Sequence, residues 1–255
     1  MQTRRSILKT GARLALWCIT MAGLGLFKAP AVFAEIKKRI LPKGTDPQSL
    51  KTTNPASLDT RNLDVMPLEA FGIMGDKNYP FNPDTWRLEV TGAVETPIAL
   101  SYDQILHFPV IERDVLLVCP GVFVNHGRWK GFSIRELIHR VSLKNTVSSI
   151  RVYGHSRFGD RMETFHIDEA TSDKVFLAYA VNDTPLPAKH GYPLRIVAEG
   201  HWGSHWAKYV KKIEFAESDT GQTRNLPAEN LDSGRRRGVR KRMLAVGSGS
   251  GTPGC

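Results

Sequence analysis

Val175-Phe176-Leu177-Ala178-Tyr179-Ala180-Val181 runs into Asn182-Asp183-Thr184-Pro185-Leu186-Pro187 and continues through His190-Gly191-Tyr192 to Pro193-Leu194-Arg195-Ile196-Val197. Seven apolar residues bounded by a turn signal read as a strand, and Asn182-Asp183 opens the turn that ends it. Leu194–Ala198 reads as a further strand beyond the loop. Upstream, Trp86–Thr91 alternates like a strand and stops at Gly92, with Pro97–Leu100 as a short second one. Ser101 and Gln104 form a capping-box pattern for a short helix over Tyr102–His107. Val115–Cys119 is an apolar strand stopped by Pro120-Gly121. Ser133 and Glu136 make a second capping box, opening a helix with Ile134, Leu137, Ile138 and Val141 on one face. Ile150–Tyr153, Met162–Ile167 and Tyr209–Phe215 complete the strands. Many strands with a few short, irregularly placed helices predict an α+β fold with a mixed β-sheet, not a doubly wound domain. The sequence has no G-x-G-x-x-G or Walker pattern, so nicotinamide and nucleotide-phosphate readings lack support.

The 255 residues are 41% apolar and 24% charged, in the globular range. The formal charge is +10, but residues 1–34 hold +5 of it and residues 216–255 hold +3. A core at +2 is a poor argument for a nucleic-acid partner, and none is expected. Residues 1–34 read as an export signal: Thr3-Arg4-Arg5-Ser6-Ile7-Leu8-Lys9 has twin-arginine form, Leu14–Phe27 is apolar, and Val32-Phe33-Ala34 offers a cleavage site. That address predicts a folded precursor, a bound cofactor and a periplasmic location. Residues 35–69 read as an extended arm, 70–215 as the domain, and 216–255 as a disordered tail rich in Gly, Ser and Arg.

Of three cysteines, Cys18 lies in the signal and Cys255 ends the tail, leaving Cys119 as the single core thiol. By position it is a small core hydrophobe, a nucleophile or a ligand of a soft metal. His201-Trp202-Gly203-Ser204-His205-Trp206 lacks an H-E-x-x-H pattern. It reads either as a loop laid along an anion, ending near Lys208, or as packing of its tryptophans. Arg195, inside an apolar strand, needs either a core carboxylate or a ligand phosphate. His126 and Arg128 follow Cys119 closely and are candidates for the same pocket; Arg157 and Arg161 offer positive charge to an anionic substrate.

Two blocks then carry a resemblance. Leu116-Leu117-Val118-Cys119 with Trp129-Lys130-Gly131-Phe132 resembles the strand, metal-ligating Cys and Trp-x-Gly turn of the sulfite-oxidase-like molybdopterin oxidoreductases. Leu177–Pro187, continuing through His190–Arg195 to Lys208-Tyr209-Val210, resembles that family's N-G-x-P-L-P turn, G-x-P-L/V-R strand and pterin-contacting loop. Trp86–Gly92 suits its first core strand. The resemblance spans residues 70–215 and implies a single sulfite-oxidase-type molybdopterin-binding domain. It implies Cys119 as both catalytic residue and molybdenum ligand. His190, Arg195, Trp206, Ala207 and Lys208 would bind the cofactor, with Arg195 toward its phosphate. It implies two-electron oxo transfer to or from an S-oxide, N-oxide or sulfur oxyanion. No C-x-x-C-H accompanies these blocks, so a separate cytochrome or membrane haem partner is expected, as is a monomer. Pro120-Gly121-Val122-Phe123 departs from the sulfite-oxidising pattern after the Cys, and Phe71–Lys77 departs from the methionine-sulfoxide-repairing signature; neither substrate is assigned. The alternatives are a cofactor- or partner-binding module of the same fold without turnover, and a metal-free thiol enzyme pairing Cys119 with His126.

Overall fold

The computed structural model describes residues 38–157 and 159–217. Residues 1–34, read from the sequence as an export signal, and residues 218–255, most of the stretch read as a tail, lie outside the described residues. In chain order the strands are β1 (Arg39–Ile40), β2 (Leu58–Asp59), β3 (Leu88–Gly92), β4 (Ile98–Leu100), β5 (Val110–Cys119), β6 (Phe123–Ser133), β7 (Val147–Ser156), β8 (Gly159–His166), β9 (Val175–Val181), β10 (Thr184–Pro185), β11 (Arg195–Ala198) and β12 (Val210–Glu217). The helices are short: α1 (Tyr102–Leu106), α2 (Ile134–Val141) and α3 (Ile167–Ala170).

Two five-stranded sheets share one core. The first has the order β10-β9-β6-β5 with β11 also on β9, and every pairing in it is antiparallel. The second, β4-β3-β12-β7-β8, is mixed, because β12 runs parallel to β3 and antiparallel to β7. Strand β9 is buried at all seven positions, as its unbroken apolar run requires for a strand paired on both edges and covered on both faces. Its turn is built by Asn182 and Asp183, both at positive φ (48° and 60°), a backbone that Asn and Asp tolerate better than most residues. Trp129, Phe132, Phe165, Phe176 and Phe215 are fully enclosed where the two sheets meet.

Three local readings of the sequence are corrected. Trp129-Lys130-Gly131 is no turn: it lies inside β6, where Lys130 pairs with Ala180 and Gly131 with Ala178, leaving Tyr179 as the extra residue of a bulge in β9. The glycine permits the approach, since a Cβ there would sit 1.8 Å from the Leu177 carbonyl oxygen. The Ser101 capping box is complete, but Ser133 caps α2 through Arg135 N and donates its hydroxyl to Asp173 at 2.7 Å. The arm is not simply extended. Residues 38–69 make two short strands and three 3₁₀ turns, the last reaching Ala70. They bury Leu41, Leu50, Leu58 and Leu63 against Leu116, Val118 and Val124, a small second core on the outer face of β5 and β6.

Candidate active site

Strand β5 ends at Cys119, and Pro120-Gly121-Val122 turns the chain back, with Val122 N donating to Cys119 O (3.0 Å) and Gly121 at φ 71°. In the β5–β6 register, Cys119 faces Phe123 and Leu117 faces Asn125. The pleat sends these residues to one side and Leu116, Val118, Val124 and His126 to the other. Cys119, Leu117, Phe123 and Asn125 accordingly line a cavity of about 480 Å³. Loop 203–209 approaches the same strand closely, since a Cβ on Gly203 would meet Leu117 at 3.1 Å and the Val118 carbonyl at 3.2 Å. Loop 72–76, the end of β7 and the turn at His190 close the remaining sides.

Of the residues singled out in the sequence, Cys119, His190, Arg195, Trp206, Lys208, Arg157 and Arg161 line this cavity. Ala207 is buried beside it, its carbonyl accepting from Ile196 N at 3.0 Å. His126 and Arg128 do not belong to it. His126 is fully buried on the opposite face of β6, its Nδ1 3.0 Å from the Asp64 carbonyl, and Arg128 pairs with Asp114 at 2.9 Å. The thiol–imidazole pair of Cys119 and His126, on which the metal-free alternative rested, is therefore ruled out by strand parity. His201 and His205 are not lining residues either. They engage Glu169 and Glu163, while Ser204 between them lines the cavity and accepts from Arg161 through its carbonyl. Asn125, His155, Lys189, Tyr209 and the whole of Gly72–Asp76 also line the cavity, and the sequence reading missed them.

The cavity wall is cationic and buried. Arg195 is 4% exposed and donates Nη1 to His190 O (2.9 Å) and Nη2 to Trp206 O (3.5 Å). Its guanidinium carbon lies 4.9 Å from the Trp129 ring centre and 5.5 Å from that of Trp206. It forms no ion pair among the described residues, and its Nε has no partner. Burial loosens its proton, to about 9. Lys208 Nζ donates to the carbonyls of Asp76 and Lys189; burial and then Arg195 bring it down to about 8. His190, with Nε2 unpartnered, is brought down to about 4, chiefly by burial and then by Arg195, Lys189 and Lys208. Burial pushes the Cys119 thiol up. Three cationic-type groups that hold their protons weakly, with two orphaned buried nitrogens, fit an anionic and polar group in the cavity. The one cysteine among the described residues stands on the same wall.

Comparison with known proteins agrees with this chemistry. Residues 76–223 match the model of the oxidoreductase molybdopterin binding domain. The chain belongs to that family. Molybdopterin is thus the cofactor of this domain, and the α+β fold of mixed sheets and short helices is the one the family uses. The chain is 27% identical over 157 residues to the protein-methionine-sulfoxide reductase catalytic subunit of Campylobacter jejuni, covering 56% of this chain and 53% of that protein. It is 29% identical over 168 residues to an NADH nitrate reductase of Oryza sativa, covering 53% of this chain and 18% of that one. The chain thus spans about half or less of these relatives' lengths. Among solved structures, the sulfane dehydrogenase of Paracoccus pantotrophus superimposes with a TM-score of 0.51 at 17% identity, over 76% of this chain and 55% of that one, a likeness of fold.

Proposed function

We propose that this molybdopterin domain catalyses two-electron oxo transfer on an S-oxide, N-oxide or sulfur oxyanion, with Cys119 as the protein's ligand to molybdenum. The observation that carries the reading is the meeting, in one cavity, of a single thiol with a buried cationic wall whose His190 Nε2 and Arg195 Nε lack partners. When bound, the cofactor supplies a metal that changes by two electrons and exchanges an oxo group with substrate. The chain does the rest. Arg195 and Lys208 would hold the cofactor's anionic end, where its charge returns their protons to full strength. Trp206 and Ala207 would shape that end and keep water from it. His190, neutral at physiological pH, would offer Nε2 as a single hydrogen-bond partner. Arg157 and Arg161, which also line the cavity, would orient an oxygen-rich substrate.

Electrons would pass to or from a separate haem protein; that the Campylobacter relative is a catalytic subunit supports a division of labour. The twin-arginine segment supports export to the periplasm. Replacing Arg4 and Arg5 with Lys should leave folded protein in the cytoplasm, whereas unchanged export would remove that part of the reading. Activity is tested on molybdenum-loaded protein, with reduced benzyl viologen against S-oxides and N-oxides and with ferricyanide against sulfite. Turnover of one class, abolished by Cys119→Ser, is expected. Fully loaded protein that turns over nothing in either direction would be a binding module instead.

A further inference from the structure

Segment Gly72–Asp76 lines the cavity at every one of its five residues and is gripped at both ends by residues remote in sequence. At one end the Asn125 side chain, 3% exposed, accepts from Gly72 N at 2.8 Å and donates to Gly72 O at 3.0 Å. Only a glycine allows this, because a Cβ there would lie 2.1 Å from the Phe123 ring. At the other end the Asp76 carbonyl accepts from Lys208 Nζ and from the Tyr209 hydroxyl (2.9 Å), and its carboxylate accepts from Arg157 N (2.7 Å). Between the anchors, Gly75 turns at φ 74° with no heavy atom near its missing Cβ. Met74 is 53% exposed, yet its Sδ lies 3.6 Å from the sulfur of Cys119, which is itself only 9% exposed. A side chain that is half in solvent and also touches an almost buried thiol stands between that thiol and solvent. Ile73, Val122 and Phe123 continue the apolar wall beside it.

We propose that Met74 is a specificity-determining residue, held by the Gly72–Asp76 strap as a screen over Cys119. It admits S-oxides with small alkyl substituents to the reacting side of the cavity and hinders aryl ones. Methionine suits the role, being apolar, unbranched and able to change rotamer at low cost. The substrate class rests on the oxo-transfer reading above; the screen itself does not, and the test separates them.

The first arm uses metal-free protein made in molybdenum-starved cells. Alkylation of Cys119 is followed by peptide mapping, so that Cys18 and Cys255 do not contribute, with iodoacetamide as slim reagent and N-phenylmaleimide as bulky one. Met74→Ala should raise the bulky reagent's rate about tenfold and the slim one's less than about threefold, because access to the sulfur is what the side chain controls. Met74→Leu, of similar volume, should stay within about twofold of wild type for both. The second arm uses loaded protein: Met74→Ala should raise kcat/KM for methyl phenyl sulfoxide relative to dimethyl sulfoxide by about the same factor. An unchanged reagent ratio in Met74→Ala, or Met74→Leu behaving like Met74→Ala, would overturn the screen. A shifted reagent ratio without turnover of any S-oxide would leave the screen standing and overturn the S-oxide substrate class; without turnover of any S-oxide, N-oxide or sulfite, it would overturn the oxo-transfer reading.

Discussion

Arg195 is a nearly buried cation whose neighbours are two carbonyls and two indoles, with no carboxylate among the described residues to balance it. Such an arrangement disfavours the folded protein until an anion arrives, because the Coulombic partner that would offset desolvation is missing. Arg195→Met should therefore have opposite effects on two measurements. Urea unfolding of the metal-free variant should show a loss of less than about 1 kcal/mol, or a gain, since burying a charge costs more than burying a thioether. Pterin retained through purification should fall at least about tenfold. Strong destabilisation with unchanged pterin would contradict the assignment. His190 makes the same argument in protons. Its folded value, about 4, lies below the ordinary 6.5, so folding opposes protonation. Stability is complete above about pH 6.5 and is lost as pH falls toward 4, by up to about 1.4 kcal/mol per unit. His126, also lowered by burial, contributes with the same sign, so the comparison must be between wild type and His190→Gln. Between pH 7 and pH 5, metal-free wild type should lose about 2 kcal/mol more than the variant. An equal loss in both would mean that His190 does not resist its proton.

At the scale of elements, the bulge at Tyr179 of β9, opposite Lys130-Gly131 of β6, sits between the central strands of the first sheet. Gly131→Ala places a methyl group against the Leu177 backbone, which no side-chain rotation relieves. The expected cost is about 3 kcal/mol, read as a shifted urea midpoint, with the β6–β9 pairing loosened first. A change below about 0.5 kcal/mol would show that the bulge adapts freely. The same strand shows what a sequence reveals and what it hides. Strand β9 was legible because both its faces are buried and its apolar run is unbroken. The beginning of β5, Val110–Asp114, was not, because an edge strand alternates polar residues that resemble a loop. The turn at Trp129–Gly131 was implied by the resemblance alone; in the fold Gly131 serves close approach to the Leu177 backbone instead of chain reversal. His126 was placed in the pocket by its nearness to Cys119 in sequence; the pleat, which depends on where the hairpin turns, sends it to the other face. The strap left no periodic signal, since its grips on Asn125, Lys208 and Tyr209 span 53 to 133 positions of sequence.

At the scale of the whole molecule, two sheets and a folded arm serve to bring five separated segments around one cavity. The arm's small core braces the outer face of β5 and β6, leaving the inner face free to present Cys119, Phe123 and Asn125. No single segment carries the site: the thiol comes from the end of β5, Arg195 from the start of β11, His190 and Lys208 from the loops flanking it, and the screen from the chain before β3. Family membership supplies the cofactor, and the geometry of the wall supports the roles proposed for its side chains. In the proposed holoenzyme, Cys119 and the cationic wall together hold molybdenum on molybdopterin. This arrangement is tested most directly by mass-spectrometric measurement of molybdenum and pterin in purified wild type and in Cys119→Ala. About one molybdenum per chain in wild type is expected, with the metal lost from the variant while part of the pterin is retained through Arg195 and Lys208. Equal molybdenum in both proteins, or none in well-folded wild type from molybdate-replete cells, would contradict the account.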